Sequence, residues 1–243
     1  MNLVVDIGNT LVKLAVFQED KLLKKKVSLR PDFLKNLDEL LQSFPNIDHA
    51  LVSAVAKISP RWLQKMEEKC KVCILTTELP QVFSNKYATP LTLGHDRIAL
   101  VSAATKNYSK QNVLVVDAGT CITYDFKNDK DEYLGGAISP GLHMRYKAMH
   151  TFTERLPLLE PEEEVQLTGN STRNSMHAGV IFGLTAEIDQ MIALYKADYK
   201  ELTVILTGGD AQFLCKRLKN SIFANSNFLL EGLNYILEFN KSQ

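Results

Sequence analysis

The chain of 243 residues has 45% hydrophobic and 23% charged side chains, with 28 Lys and Arg against 28 Asp and Glu. That mixture excludes a disordered, collagen-like or disulfide-stapled polypeptide, and a chain this long buries well over half of its unfolded surface. Zero formal net charge removes the basic excess on which nucleic-acid or acidic-membrane binding depends, so neither partner is expected.

In chain order, LVVDIGNT (3–10) followed by LVKLAVF reads as strand, Gly turn, strand. DFLKNLDELLQSF (32–44) has helical periodicity, HALVSAV (49–55) reads as a strand, PRWLQKMEEKC (60–70) as a helix and VCILTT (72–77) as a strand. IALVSAATKNY (98–108) is apolar with small residues, the pattern of a buried helix. A second opening of the first kind follows: LVVDAGT (114–120), then CITYDF. After it come a long helix over 176–197, a strand ending in Gly-Gly over 202–209, and helices over 211–220 and 229–240. Strands alternating with helices after each hairpin predict an α/β fold with mixed sheets. The two openings lie about 110 residues apart, beyond solenoid spacing, and imply two related domains, 1–110 and 111–243, meeting at the polar SKQN stretch.

The N-terminus lacks a signal-peptide pattern, and no apolar run is expected to reach the ~18–20 residues that span a bilayer. Cys70 and Cys73 form a lone C-x-x-C with no second pair to complete a zinc set. With Cys121 and Cys215 they read as structural thiols of a protein in reducing cytoplasm. His143, His150 and His177 have no ligand spacing, and the charge runs KKK (24–26) and EPEEE (160–164) read as solvated loop or helix-end charges.

Chemistry concentrates at the Gly turns. In Asp6-Ile7-Gly8-Asn9-Thr10-Leu11-Val12-Lys13 an acid at a strand end can hold a hydrated magnesium ion. The turn amides and the Thr10 hydroxyl can meet phosphate oxygens, which Lys13 neutralises. Neither a P-loop nor a dinucleotide fingerprint is present. Asp117-Ala118-Gly119-Thr120 repeats the motif, and Thr207-Gly208-Gly209 supplies a strand end bare enough for a nucleobase or ribose to approach. One such turn is ordinary hairpin chemistry, but two with a Gly-Gly strand end resemble the nucleotide cleft of the actin-like ATPase superfamily, built from paired ribonuclease H-like domains.

Three further motifs narrow that resemblance. Gly94-His95-Asp96-Arg97 opens a helix, Gly135 to Gly141 reads GGAISPG, and Gly169-Asn170-Ser171-Thr172 leads into SMHAGVIFG. With DIGNTLVK and VVDAGT, this ordered set resembles type III pantothenate kinase over nearly the whole chain. The resemblance implies ATP-dependent phosphorylation of pantothenate by a homodimer. It places the ATP phosphates on Asp6 through Lys13, further ATP contacts at Thr120 and the Gly208-Gly209 turn, and potassium or ammonium on Asp117. It assigns Gly94, His95, Asp96 and Arg97 to pantothenate, with Asp96 as the base facing the primary hydroxyl, and adds Tyr87 and Thr172. His95 and Cys121 stand where relatives commonly have smaller residues. An inactive accessory protein on the same scaffold is the alternative reading, and a kinase for another small alcohol is a third.

Overall fold

The computed structural model describes residues 1–8, 11–54 and 58–241. The elements in order are β1 (Asn2–Ile7), β2 (Leu11–Gln18), β3 (Lys21–Leu29), α1 (Phe33–Ser43), β4 (His49–Ala54), α2 (Pro60–Glu67), β5 (Lys71–Ile74), β6 (Ser84–Asn85) and α3 (His95–Asn107). They continue with β7 (Val113–Ala118), β8 (Cys121–Lys127), β9 (Glu132–Pro140), α4 (Leu142–Thr151), α5 (Thr172–Asp198), β10 (Thr203–Thr207), α6 (Ala211–Cys215), β11 (Phe223–Ala224) and α7 (Phe228–Lys241). The chain forms two compact units, Met1–Ser109 with Asn227–Gln243, and Lys110–Ser226.

In the first unit the strands run in the order β3-β2-β1-β4-β5. β1 pairs antiparallel with β2 and parallel with β4, so this central strand carries its hairpin partner on one side and, on the other, the strand that returns from β3 through α1. Leu3, Val5, Ile7, Val12, Leu14 and Val16 pack with Phe33, Leu37, Leu40 and Met66 of α1 and α2. Asn2, on the alternate side of β1, donates to Asn234 of α7 at 2.7 Å. Burial on both faces explains why β1 reads as a continuous apolar run rather than an alternating one.

The second unit repeats the plan. Its strands follow the order β11-β10-β7-β8-β9, the mirror listing of the same topology, with β7 antiparallel to β8 and parallel to β10. β1 and β7 also share one burial pattern, with only the acidic fifth residue, Asp6 or Asp117, partly exposed. The predicted duplication is therefore visible strand by strand.

Several expectations change. Residues 227–243 belong to the first unit, not to a second domain running to 243. The cause is a close approach of helices: a Cβ on Gly232 of α7 would overlap the Ala99 carbonyl of α3 and touch Ala103. This is why α3 is rich in small residues. The KKK run lies on the edge strand β3 instead of a loop: Lys25 donates to Asn227 at 2.8 Å and Lys26 pairs with Glu39. Lysines on an edge strand also discourage pairing with another chain.

The EPEEE carboxylates are not merely solvated: Glu162 pairs with Arg173, Glu163 with Arg217 at 3.0 Å, and Glu160 with His143 at 3.2 Å. The helix expected over 211–220 stops at Cys215, because Asp189 of α5 captures the amides of Lys219 and Asn220 at 3.1 Å each. Against expectation, α5 is long and apolar enough to cross a membrane by length and composition, but 39% of that stretch is buried, with Val180, Leu184, Ile188 and Ile192 in the second core.

All four cysteines are free, and burial pushes the Cys70 thiol up to about 11, the opposite of a reactive thiolate. Cys121 is half-buried rather than enclosed. Among the described residues no cluster of His, Cys, Asp and Glu has metal-binding geometry.

Candidate active site

The first cluster is built on the β1–β2 hairpin and the N-terminus of α3. Asp6 and Lys13 are register partners across the hairpin, and Lys13 Nζ lies 3.4 Å from Asp6 Oδ2. The turn closes through the Gly8 N–H, which donates to the Leu11 carbonyl at 3.0 Å. Asn9 and Thr10 lie outside the described residues. The side chains of Ile7 and Val12 are fully buried in the core, so only their backbone could meet a phosphate; Leu11 is exposed.

Burial holds the Asp6 carboxyl above its ordinary value; Lys13 opposes that rise and the charge of Asp96 adds to it. The two carboxylates thus feel one another, although they stand 90 positions apart in the chain. A carboxyl whose folded-state pKa is raised contributes most stability below its ordinary 3.8 and loses it as pH rises through the raised value. Asp6→Asn is therefore expected to raise Tm at pH 7 while impairing activity. Thermal melts at stepped pH check this: the advantage of the Asn variant should vanish in acid below the ordinary carboxylate range.

Asp96 sits in the first turn of α3, whose cap is Gly94. Its Oδ1 accepts from the Arg97 N–H at 2.9 Å, and a Cβ on Gly94 would overlap that same oxygen. A side chain at position 94 would therefore displace this carboxylate from its place on α3. Arg97 is buried, with its guanidinium 5.5 Å from the centre of the Tyr87 ring. That cation–π contact joins two expected substrate residues. His95 is half-exposed beside them.

The second cluster lies in the other unit. Gly119 repeats the turn of Gly8, donating to the Cys121 carbonyl at 3.0 Å, and Thr120 is exposed at the tip. The β9–α4 corner buttresses this turn: the Gly141 N–H donates to the Thr120 carbonyl at 3.2 Å, and a Cβ there would overlap the Gly119 and Thr120 carbonyls. Glu187 of α5 holds the corner, accepting from Ser139 and Arg145 at 2.5 Å each. This accounts for Ser139 and Gly141 of the GGAISPG motif.

Gly208 has φ +98°, and a Cβ on it would overlap both Asp117 Oδ1 and the Ala118 carbonyl. The turn after β10 therefore lies against the acid of β7, and Gly209 is open on its outer side. A carboxylate beside backbone carbonyls is a hard-oxygen set, suited to potassium, ammonium or magnesium and not to a soft metal. Thr172 is exposed at the first position of α5, after a Ser171 cap that accepts from the Asn174 N–H at 3.1 Å.

Two neighbours of the turns escaped the sequence reading. Asp210 donates its N–H to the Ala118 carbonyl at 3.0 Å, and its carboxyl, raised by burial and lowered by His143, lies 3.7 Å from His143 Nε2. An acid directly after Gly-Gly was the available signal. Arg30 donates from Nη1 to the Gly8 carbonyl at 3.1 Å, a pairing across 22 positions that carries no local signature.

A family model described as type III pantothenate kinase matches residues 2–194. A type III pantothenate kinase of Christiangramia forsetii is 51% identical over 243 residues, covering all of both chains. One from Flavobacterium johnsoniae is 46% identical over 98% of each. Among solved structures, a chain from Campylobacter jejuni described as a Baf family transcriptional activator aligns with a TM-score of 0.63 at 24% identity, over 99% of this chain and 100% of that one. That likeness shows the fold alone, and the fold is the actin-like ATPase and sugar-kinase one expected.

Proposed function

The chain belongs to the type III pantothenate kinase family, and from that premise we propose how its two acidic turns and its GHDR motif divide the work. The reaction is the transfer of the γ-phosphoryl group of ATP to the primary hydroxyl of pantothenate, giving ADP and 4′-phosphopantothenate, the first step of coenzyme A biosynthesis. Phosphoryl transfer passes through a loose transition state, so the protein contributes mainly position and charge.

The observation that carries the assignment is a pair of separate acids in the first unit, Asp96 in the first turn of α3 and Asp6 on the hairpin turn. One acid stands at a helix N-terminus where it can accept a hydroxyl proton; the other stands on the phosphate turn with Lys13 at 3.4 Å. In this reading Asp96 aims the pantothenate hydroxyl oxygen at the γ-phosphorus and takes its proton as the bond to the β–γ bridging oxygen breaks. Arg97, steadied by Tyr87, pairs with the substrate carboxylate in the two-pronged manner of a guanidinium. Lys13 and the turn amides take the phosphates, and Asp6 would hold a hydrated magnesium ion, which would supply charge neutralisation.

Asp117 would hold a monovalent cation, and the face of Gly208 and Gly209 would receive the nucleoside. Gly94, His95 and Thr172 complete the pantothenate contacts. We assign the protein to the cytoplasm as a homodimer; its four free thiols suit a reducing compartment. An inactive accessory role is less favoured, because a pure binder has no need of Asp6, Asp96, Arg97 and Asp117 together.

Cation dependence tests the assignment of Asp117. Initial rates in potassium, ammonium and sodium chloride at equal ionic strength should show activation by the first two. Asp117→Asn should flatten that response and raise KM for MgATP by about tenfold. Equal cation activation in both proteins would overturn the assignment.

A further inference from the structure

We infer that Arg30 is a positioning residue for the nucleotide phosphates, holding the carbonyl of the first acidic turn and adding a second cation to it beside Lys13. The inference rests on the placement of the ATP phosphates at the Asp6–Lys13 turn. Leu11 and Leu29 are register partners at the open end of the β2–β3 pair. The residue after Leu29 is therefore delivered across from the turn, where Arg30 opens a tight helical turn with Pro31 as its second residue.

Arg30 Nη1 donates to the Gly8 carbonyl at 3.1 Å. A carbonyl oxygen in a phosphate-binding turn repels phosphate, and a guanidinium bonded to it both fixes its direction and neutralises its dipole. Four of the five guanidinium N–H groups remain beyond this bond. Among the described residues no carboxylate lies within ion-pair distance of Arg30, whereas Lys13 is matched by Asp6. Arg30 therefore brings to this turn a positive charge held in no ion pair among the described residues, which suits an arriving triphosphate.

The guanidinium carbon of Arg30 lies 5.5 Å from the centre of the Trp62 ring, which itself stacks on Phe33 at 4.1 Å. Trp62 is the single tryptophan of the chain. A cation over an indole alters its surroundings, so any phosphate that draws on Arg30 should be reported by Trp62 emission.

The test compares Arg30→Met, Arg30→Lys and Lys13→Met in steady-state kinetics and in MgATP titrations followed by tryptophan fluorescence. Arg30→Met should raise KM for MgATP about tenfold with KM for pantothenate and Tm unchanged, and Arg30→Lys should recover most of that loss. MgATP should change Trp62 emission in the parent protein and leave it unchanged in Arg30→Met. If both Michaelis constants move together, if neither moves, or if emission responds equally in parent and Arg30→Met, the inference is wrong.

Should Arg30→Met not fold, Arg30→Lys decides alone: a rise in KM for MgATP of about threefold, with KM for pantothenate unchanged, supports the role. No rise overturns it. If Lys13→Met is impaired toward MgATP and Arg30→Met is not, this inference fails by itself. If Lys13→Met keeps the parent KM, the phosphates lie elsewhere and both readings fall.

Discussion

Asp96→Asn is expected to lower kcat by about a thousandfold while leaving the affinity for MgATP within about twofold. The substitution is nearly isosteric. The amide oxygen can still accept from the Arg97 N–H, as Asp96 Oδ1 does at 2.9 Å, so the first turn of α3 keeps its geometry. What disappears is the negative acceptor that orients the hydroxyl and takes its proton. The charge that Asp96 exerts on Asp6 disappears with it, and the Asp6 carboxyl should move back toward its ordinary value. ADP release in a coupled assay gives kcat, and calorimetric titration with MgATP gives affinity. A kcat within tenfold of the parent would remove Asp96 from the chemistry.

Gly208→Ala is expected to destabilise the second unit by about 2–4 kcal/mol and to abolish the response to potassium. Two causes combine. A φ of +98° is a backbone conformation that a residue with a Cβ rarely adopts, and the added carbon would overlap the Ala118 carbonyl and Asp117 Oδ1. Relief of that overlap requires β10 and β7 to part where Asp117 stands. Gly209→Ala is the control, because nothing lies within 4 Å of its added Cβ and its φ is not in the left-handed region. It should keep its stability in a urea titration, and any effect on MgATP binding would locate the ligand on its open face. Equal stability of the two variants would contradict this account of the turn.

The parts of the fold that could be read from sequence are those whose signal is local. An apolar run, an acid and a Gly turn lie within a few residues of one another, and both copies became β1 and β7 with their acids at matching places. The GHDR motif was legible for the same reason: cap, acid and first turn of α3 are consecutive. Features that depend on distant partners were not. β3 holds three lysines in a row and is a strand because β2 pairs with it along its length. The attachment of α7 rests on Gly232 meeting Ala99, which no periodicity within α7 discloses. α6 ends early because Asp189, on another helix, takes the amides that would have continued it. Arg30 reaches Gly8 only because two strands end together. In the site, residue identities were readable where motifs are contiguous, and the supports that aim them were not.

The most direct measurement is product analysis of the full chain incubated with MgATP and pantothenate in potassium buffer. Phosphorus NMR and mass spectrometry should find 4′-phosphopantothenate and ADP in equal amounts, with the new phosphate on the primary hydroxyl and formation suppressed in Asp96→Asn. ADP without a phosphorylated acceptor, or no turnover with any monovalent cation, would contradict the account and return the protein to the class of accessory binders.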